Sequence, residues 1–88
     1  MKLNNDEEKI LINCGCTKTD IEQIKRLQYK FTLYYQNGNS TKISTSSAKE
    51  KLSTEQFLSA IERSAFHKTA YREINDNKYQ GILVESNL

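Results

Sequence analysis

The chain predicts an α+β domain: two N-terminal helices, a β-hairpin, a helix and a second β-hairpin. The hairpins join into one four-stranded antiparallel sheet with the helices on one face. Three observations carry this. Between Ser53 and Arg72 an amphipathic helical pattern changes to a strand-like alternation within one or two residues, so a helix separates two strand pairs. Tyr29 to Tyr35 alternates with period two. Asn37-Gly38-Asn39 and Asn75-Asp76-Asn77-Lys78 are turn signals, each between two strand-like runs. At 88 residues the whole of 1–88 makes a single domain.

Asp6 can cap a first helix from Glu7 to about Cys14, whose acidic first turn suits the helix dipole. Gly15 then stops it, because glycine tolerates the left-handed backbone of a helix end. Thr17-Lys18-Thr19-Asp20 resembles a capping box with Asp in the place of Glu, and opens a second helix running to about Leu27. Ile21, Ile24 and either Leu27 or Gln28 form its inner face. Tyr29, Phe31, Leu33 and Tyr35 then make the apolar side of a half-buried strand, with Lys30, Thr32 and Tyr34 on the other. A three-residue loop with positive φ at Asn39 puts Ile43 opposite Leu33 and Thr41 opposite Tyr35. A two-residue turn at Asn37-Gly38 puts Lys42 there instead and turns Ile43 outward, so the longer loop is preferred.

Ser44 to Ser47 reads as a polar linker, and Ser47-Ala48-Lys49-Glu50 as the cap of one or two helical turns ending near Leu52. Ser53-Thr54-Glu55-Gln56 caps the main helix, whose stripe is Phe57, Leu58, Ile61 and Ala65 and whose end is expected at Ser64 or Ala65. Thr69, Tyr71 and Glu73 alternate with Ala70, Arg72 and Ile74 in a third strand. Tyr79 to Glu85 is the last, with Ile82 and Val84 on one face and Leu83 on the other. Apolar residues on both faces point to a central or covered strand.

Composition narrows the function classes. Hydrophobic residues are 36% of the chain and charged ones 27%, with a net charge of only +2. That balance lacks the electrostatic footprint of a nucleic-acid binder and the acidity of a DNA mimic. The opening MKLNNDEEKI has no apolar h-region, so no signal peptide is expected, and no run approaches the roughly 18 apolar residues of a membrane span. A cytoplasmic protein with no membrane partner is the expectation.

Several constellations could carry chemistry. Cys14 and Cys16, with His67 as the one further soft ligand, leave a zinc set one ligand short, so neither metal nor cofactor is expected. The thiols are read instead as packing around the turn. His67 lies near Arg63, Ser64 and Arg72, which would suit an anion site or a Ser-His pair. No glycine-rich elbow or oxyanion hole accompanies it, so catalysis ranks last. Backbone hydrogen bonds from Ser64 and His67 at the helix end are the simpler reading. The two N-terminal helices have helix-turn-helix spacing, with Ile10, Cys14, Cys16, Ile21 and Ile24 as the apolar set. Thr17, Lys18, Thr19, Gln23, Lys25 and Arg26 would then meet DNA, with the Tyr29–Thr45 hairpin as a wing. Against this, Leu11 stands where a small residue is usual, and Asp20 and Glu22 oppose phosphate. Tyr29, Phe31, Tyr34 and Tyr35 could form a stacking platform for single strands, although such alternation more often builds a core. Tyr34 and Lys30, on the outer side of their strand, suit a protein interface.

FLSAIERSAFHKTAYRE at Phe57 to Glu73 and GCTKTDIEQIKR at Gly15 to Arg26 resemble the FLSGIxRSAFHxTAxRE and GCTxxDIxQIxR segments of a group of small proteins from Firmicutes genomes, phages and mobile elements. The likeness covers roughly Gly15 to Glu73. The closing KYQGILVESNL departs from the group's aromatic-rich last strand. The resemblance implies a mobile-element origin and carries no activity with it. The expected function is therefore a non-enzymatic protein that binds a host protein, for instance as an inhibitor of a defence nuclease such as a CRISPR effector. Tyr34, Lys30, Arg63, His67 and Arg72 are its candidate contacts. The alternative is a small DNA-binding regulator using residues 7–27.

Overall fold

A computed structural model describes residues 1–88. Its elements are α1 (Asn5–Asn13), α2 (Lys18–Arg26), β1 (Tyr29–Tyr35), β2 (Ser40–Ile43), α3 (Thr45–Lys51), α4 (Thr54–His67), β3 (Thr69–Glu73) and β4 (Tyr79–Ser86). The strands form one antiparallel sheet in the order β2-β1-β4-β3, so each hairpin contributes one central and one edge strand. The α+β class, the two-hairpin sheet and the central position of β4 agree with the sequence reading.

The helix starts follow from side chains that satisfy orphan backbone N–H groups. Asn4, not Asp6, caps α1: its Oδ1 accepts from the Glu7 N–H at 2.8 Å, and Glu7 Oε1 accepts from the Asn4 N–H at 2.9 Å. The reciprocal box outcompetes a lone acid two residues later, and it starts the helix at Asn5. The Thr17–Asp20 box opens α2 and the Ser53–Gln56 box opens α4, both as read from the sequence. The linker expected at Ser44–Ser47 is instead helical, because Ser44 Oγ accepts from the Ser47 N–H at 3.2 Å and starts α3 three residues early. Helix α4 also runs past its expected end, to His67. Its apolar stripe stops at Ala65 because Phe66 and His67 lie beyond the core, but the backbone ladder continues until Lys68 turns to φ +75° and donates to the Ser64 carbonyl at 2.9 Å.

The first hairpin has the three-residue loop one position earlier than expected, which shifts the cross-strand register by two. Its loop is Gln36-Asn37-Gly38, closed by Gly38 N–H to the Tyr35 carbonyl (3.1 Å) and Tyr35 N–H to the Asn39 carbonyl (2.8 Å). Ile43 therefore faces Phe31, and Thr41 faces Leu33. Gly38, at φ +89°, takes the left-handed position assigned to Asn39, as its missing Cβ favours. A shift of two keeps every side chain on its own face, so the apolar pattern could not detect it. In the second hairpin Asp76 Oδ1 accepts from the Lys78 and Tyr79 N–H groups at 2.8 and 2.6 Å. Those two bonds hold the Asp76 carboxyl below its ordinary pKa.

One core lies between the helices and one sheet face. Phe31, Leu33, Ala70, Ile82 and Val84 supply the sheet side; Leu11, Ile21, Ile24, Phe57, Leu58 and Ile61 are prominent on the helix side. Phe31 and Phe57 stack with centroids 5.8 Å apart. Glu7 is buried at the α1–α3 contact, where its carboxylate meets Lys49 at 3.1 Å.

Candidate functional site

Alternation gives the sheet a second face, and the registers identify it. On β2 and β1 it carries Ser40, Lys42, Lys30, Thr32 and Tyr34; on β4 and β3 it carries Gly81, Leu83, Glu85, Thr69, Tyr71 and Glu73. Their opposite-parity neighbours Phe31, Leu33, Ile82, Val84 and Ala70 are buried under the helices, whereas no side chain of this second face is buried. The sheet is thus open to solvent on one side.

Tyr71 lies across β4 rather than upright. A Cβ on Gly81 would collide with the Tyr71 hydroxyl and ring and with the Arg72 carbonyl, so glycine is what lets the ring lie down. There it meets Tyr34 edge-on, with centroids 6.3 Å apart and planes at 62°. The Tyr71 side chain remains 46% exposed. Local burial, then the Glu73 carboxylate and Tyr34, raise its phenol pKa above the ordinary value. Leu83, half-buried, sits beside Tyr71 in the pairing. Around this apolar centre stand Lys30 and Lys42 on the β1–β2 half, and Glu73 and Glu85 on the β4–β3 half. None of the four forms an ion pair; the chain's ion pairs are Lys25–Glu8 and Lys49–Glu7.

The five candidate contacts do not form one surface. Tyr34 and Lys30 lie on the open face. Arg72 does not: its even parity turns it to the helix side, where its guanidinium donates to Ser59 Oγ on α4. Arg63 and His67 are exposed on the last turns of α4, within the helix layer. Nearness in sequence had grouped residues that strand parity separates. Tyr71, Leu83 and Lys42 share the open face with Tyr34 and Lys30 but are not among the candidate contacts read from the sequence. Their signal was present in the alternation of each strand, but only the cross-strand register brings them beside Tyr34.

The aromatic strand is not a stacking platform. Phe31 is buried, Tyr35 turns inward against Tyr79 at 5.4 Å, and the Tyr29 hydroxyl donates to the Ile24 carbonyl at 2.8 Å. Burial pushes the Tyr29 phenol up to about 12. The first hairpin is not a free wing either, because β1 pairs with β4 along its length. In the helix pair, Thr17 spends its hydroxyl on the Asp20 N–H at 3.1 Å, and Gln23 is half-buried. Lys18, Thr19, Lys25 and Arg26 are exposed, but Lys25 lies 3.9 Å from Glu8, and Glu8 and Glu22 line the same shallow cleft as Lys18 and Lys25.

Ser64 is fully buried and donates to the Ile61 carbonyl at 3.0 Å, as the simpler reading has it. His67 is exposed and its side chain makes no hydrogen bond, so neither the Ser-His pair nor the backbone bond expected of His67 forms. Only one of the two thiols packs as expected: Cys16 lies in the core, where burial and then the Glu62 carboxylate raise its thiol pKa, whereas Cys14 is exposed because the turn carries it away from the core. No group of three or more His, Cys, Asp or Glu side chains converges as a metal site would require. No helix is long and apolar enough to cross a membrane. No protein-family model matches the chain, nor does any curated protein or solved structure.

Proposed function

We propose that this chain is a non-enzymatic accessory protein that binds a host protein through the open face of its sheet. The observation that carries the reading is the pair of exposed Tyr71 and half-buried Tyr34 on the open face, set beside Leu83 and ringed by four unpaired charges of both signs. An aromatic centre with a polar rim is the usual anatomy of a protein-binding patch, and tyrosine is enriched among its energetic anchors. Mixed charge suits a protein surface better than a polyanion, which would repel Glu73 and Glu85. The likeness of the Phe57–Glu73 segment to mobile-element proteins favours a target in host defence. Inhibition of a nuclease by occlusion, in the cytoplasm, is the form this would take.

The test is capture from a host lysate, comparing the wild-type chain with Leu83→Lys on the open face and Arg63→Ala on the helix layer. A specific protein partner retained by Arg63→Ala and lost with folded Leu83→Lys is the expected result. Retention by both variants would remove the open face from consideration. Tight, salt-sensitive binding of duplex DNA by the isolated chain would favour the helix-pair regulator instead.

A further inference from the structure

We infer that, when no target is bound, the open sheet face is covered by the same face of a second copy of this chain, related by a two-fold axis parallel to the strands. The inference rests on the reading of that face as a docking surface. Its charges are segregated across the sheet. Cations occupy the β2–β1 half (Lys42 and Lys30) and carboxylates the β4–β3 half (Glu85 and Glu73). Two such faces can meet about a two-fold axis in the interface plane in two simple ways. An axis across the strands through the central row lays each strand on its own copy and puts Lys42 on the partner's Lys42. An axis along the strands, between β1 and β4, lays β1 on the partner's β4 and β2 on the partner's β3. Lys30 then faces the partner's Glu85, and the Lys42 side of the sheet faces the partner's Tyr71 and Glu73.

The centre is complementary in the second arrangement. Tyr34 and Gly81 are paired across β1 and β4, and Tyr71 lies over Gly81. Rotation about the axis therefore brings Tyr34 of one copy against the partner's Tyr71, so four tyrosines gather at the middle and Leu83 flanks them. A two-fold contact uses one patch twice, and every pair named here occurs twice. Sheets stacked face to face cross at about 30°, which displaces the residues beside the axis least, and the long side chains of Lys30 and Glu85 span the offset.

Size sets the strength. Four strands about 4.8 Å apart, with three outward rows, give a flat footprint of roughly 400 Å² per copy, more once side-chain relief is counted. Both copies together come near the lower bound of about 1,000 Å² for a specific interface. Such a dimer is reversible, and a target that covers the face more fully displaces the second copy.

The charge pairing supplies a selective test. Lys30→Glu alone and Glu85→Lys alone each place like charges at both symmetric contacts, and each should weaken self-association at least about tenfold. Mixing the two variant chains restores opposite charges at both contacts. The measurement is sedimentation over a range of concentrations, with native mass spectrometry of a mixture in which one variant carries ¹⁵N. Wild-type chain is expected to pass reversibly from monomer to dimer, the single variants to stay monomeric at the same concentrations, and the mixture to recover a mixed dimer. Lys30 and Glu85 also face each other within one sheet, so melting curves check that each variant is folded; mixing cannot repair a contact inside one chain. A wild-type chain that stays monomeric up to about 1 mM, the weak end of measurable association, would overturn the inference. So would a dimer indifferent to both reversals, or a mixture that does not pair. Loss of the dimer model leaves target capture by the open face to its own Leu83→Lys test.

Discussion

Gly81 and Tyr71 together explain why the open face is flat and aromatic. A side chain at position 81 would strike both the Tyr71 ring and the Arg72 carbonyl, and a carbonyl in a ladder cannot step aside as a side-chain tip can. Gly81→Val should therefore destabilise by about 1–3 kcal/mol, the usual range for forced overpacking. In a domain of this size that lowers Tm by about 4–8 °C per kcal/mol, readable in a thermal melt. An unchanged melt would mean that Tyr71 does not lie across β4. Tyr29 makes a second, pH-dependent claim. Its phenol is neutral at neutral pH, and folding raises its pKa from 10.0 to about 12. The unfolded chain loses that proton first as pH rises. The contribution is thus fully present below about pH 10 and is lost between there and about pH 12. Chemical denaturation across that window should show falling stability, with the fall reduced in Tyr29→Phe. A Tyr29→Phe chain with the same alkaline profile as wild type would place the effect elsewhere.

Helix caps make the corresponding claim for α1 and α3. Asn4→Ala removes an acceptor from the Glu7 N–H, and Ser44→Ala removes one from the Ser47 N–H. Each should cost about 1 kcal/mol by denaturant titration, whereas Asp6→Ala and Ser47→Ala should cost clearly less. These are also the places where the sequence misled. Capping boxes at Thr17 and Ser53 were legible because a reciprocal acid or amide sits three residues on. Asn4 has that spacing to Glu7, but Asp6 offered a rival start two residues on; Ser44 has only Ser47 three residues later, whereas Ser47 has Glu50, so the local pattern favoured the later start. Strand faces were read correctly because period two is a geometric property of the chain. The register of the first hairpin was missed by two positions, a displacement that leaves every face unchanged. For the same reason the pattern could identify Tyr34 as outward but could not say that Tyr71 lies beside it. Arg72 lies on the helix side, away from Tyr34, as its shared parity with Ala70 requires and its nearness to His67 in sequence does not reveal.

The layer arrangement leaves the proposed partner one open sheet face. Helices occupy one side of the sheet, and the cations of α2 are interleaved with Glu8, Asp20 and Glu22 there. The other side is the continuous patch carrying Tyr34, Tyr71 and Leu83. Two outcomes separate the competing functions. If the chain reads DNA, replacing Lys18, Lys25 and Arg26 with neutral residues should lower affinity and flatten its salt dependence, because with fewer phosphate contacts fewer counterions are released on binding. If it docks on a protein, those replacements should leave the complex intact. Tyr34→Ala should then weaken it by about 2 kcal/mol or more, as loss of a central anchor does. Tyr34 is only half-buried, so the variant should keep its fold and a near-native melt. The second outcome is expected, because a net charge of +2 attracts a polyanion weakly and Glu8 already engages Lys25. Titration of both variant sets against the captured target and against duplex DNA at two salt concentrations decides the matter. Affinity for DNA that falls with the α2 cations and ignores Tyr34 would move the function to the helix layer.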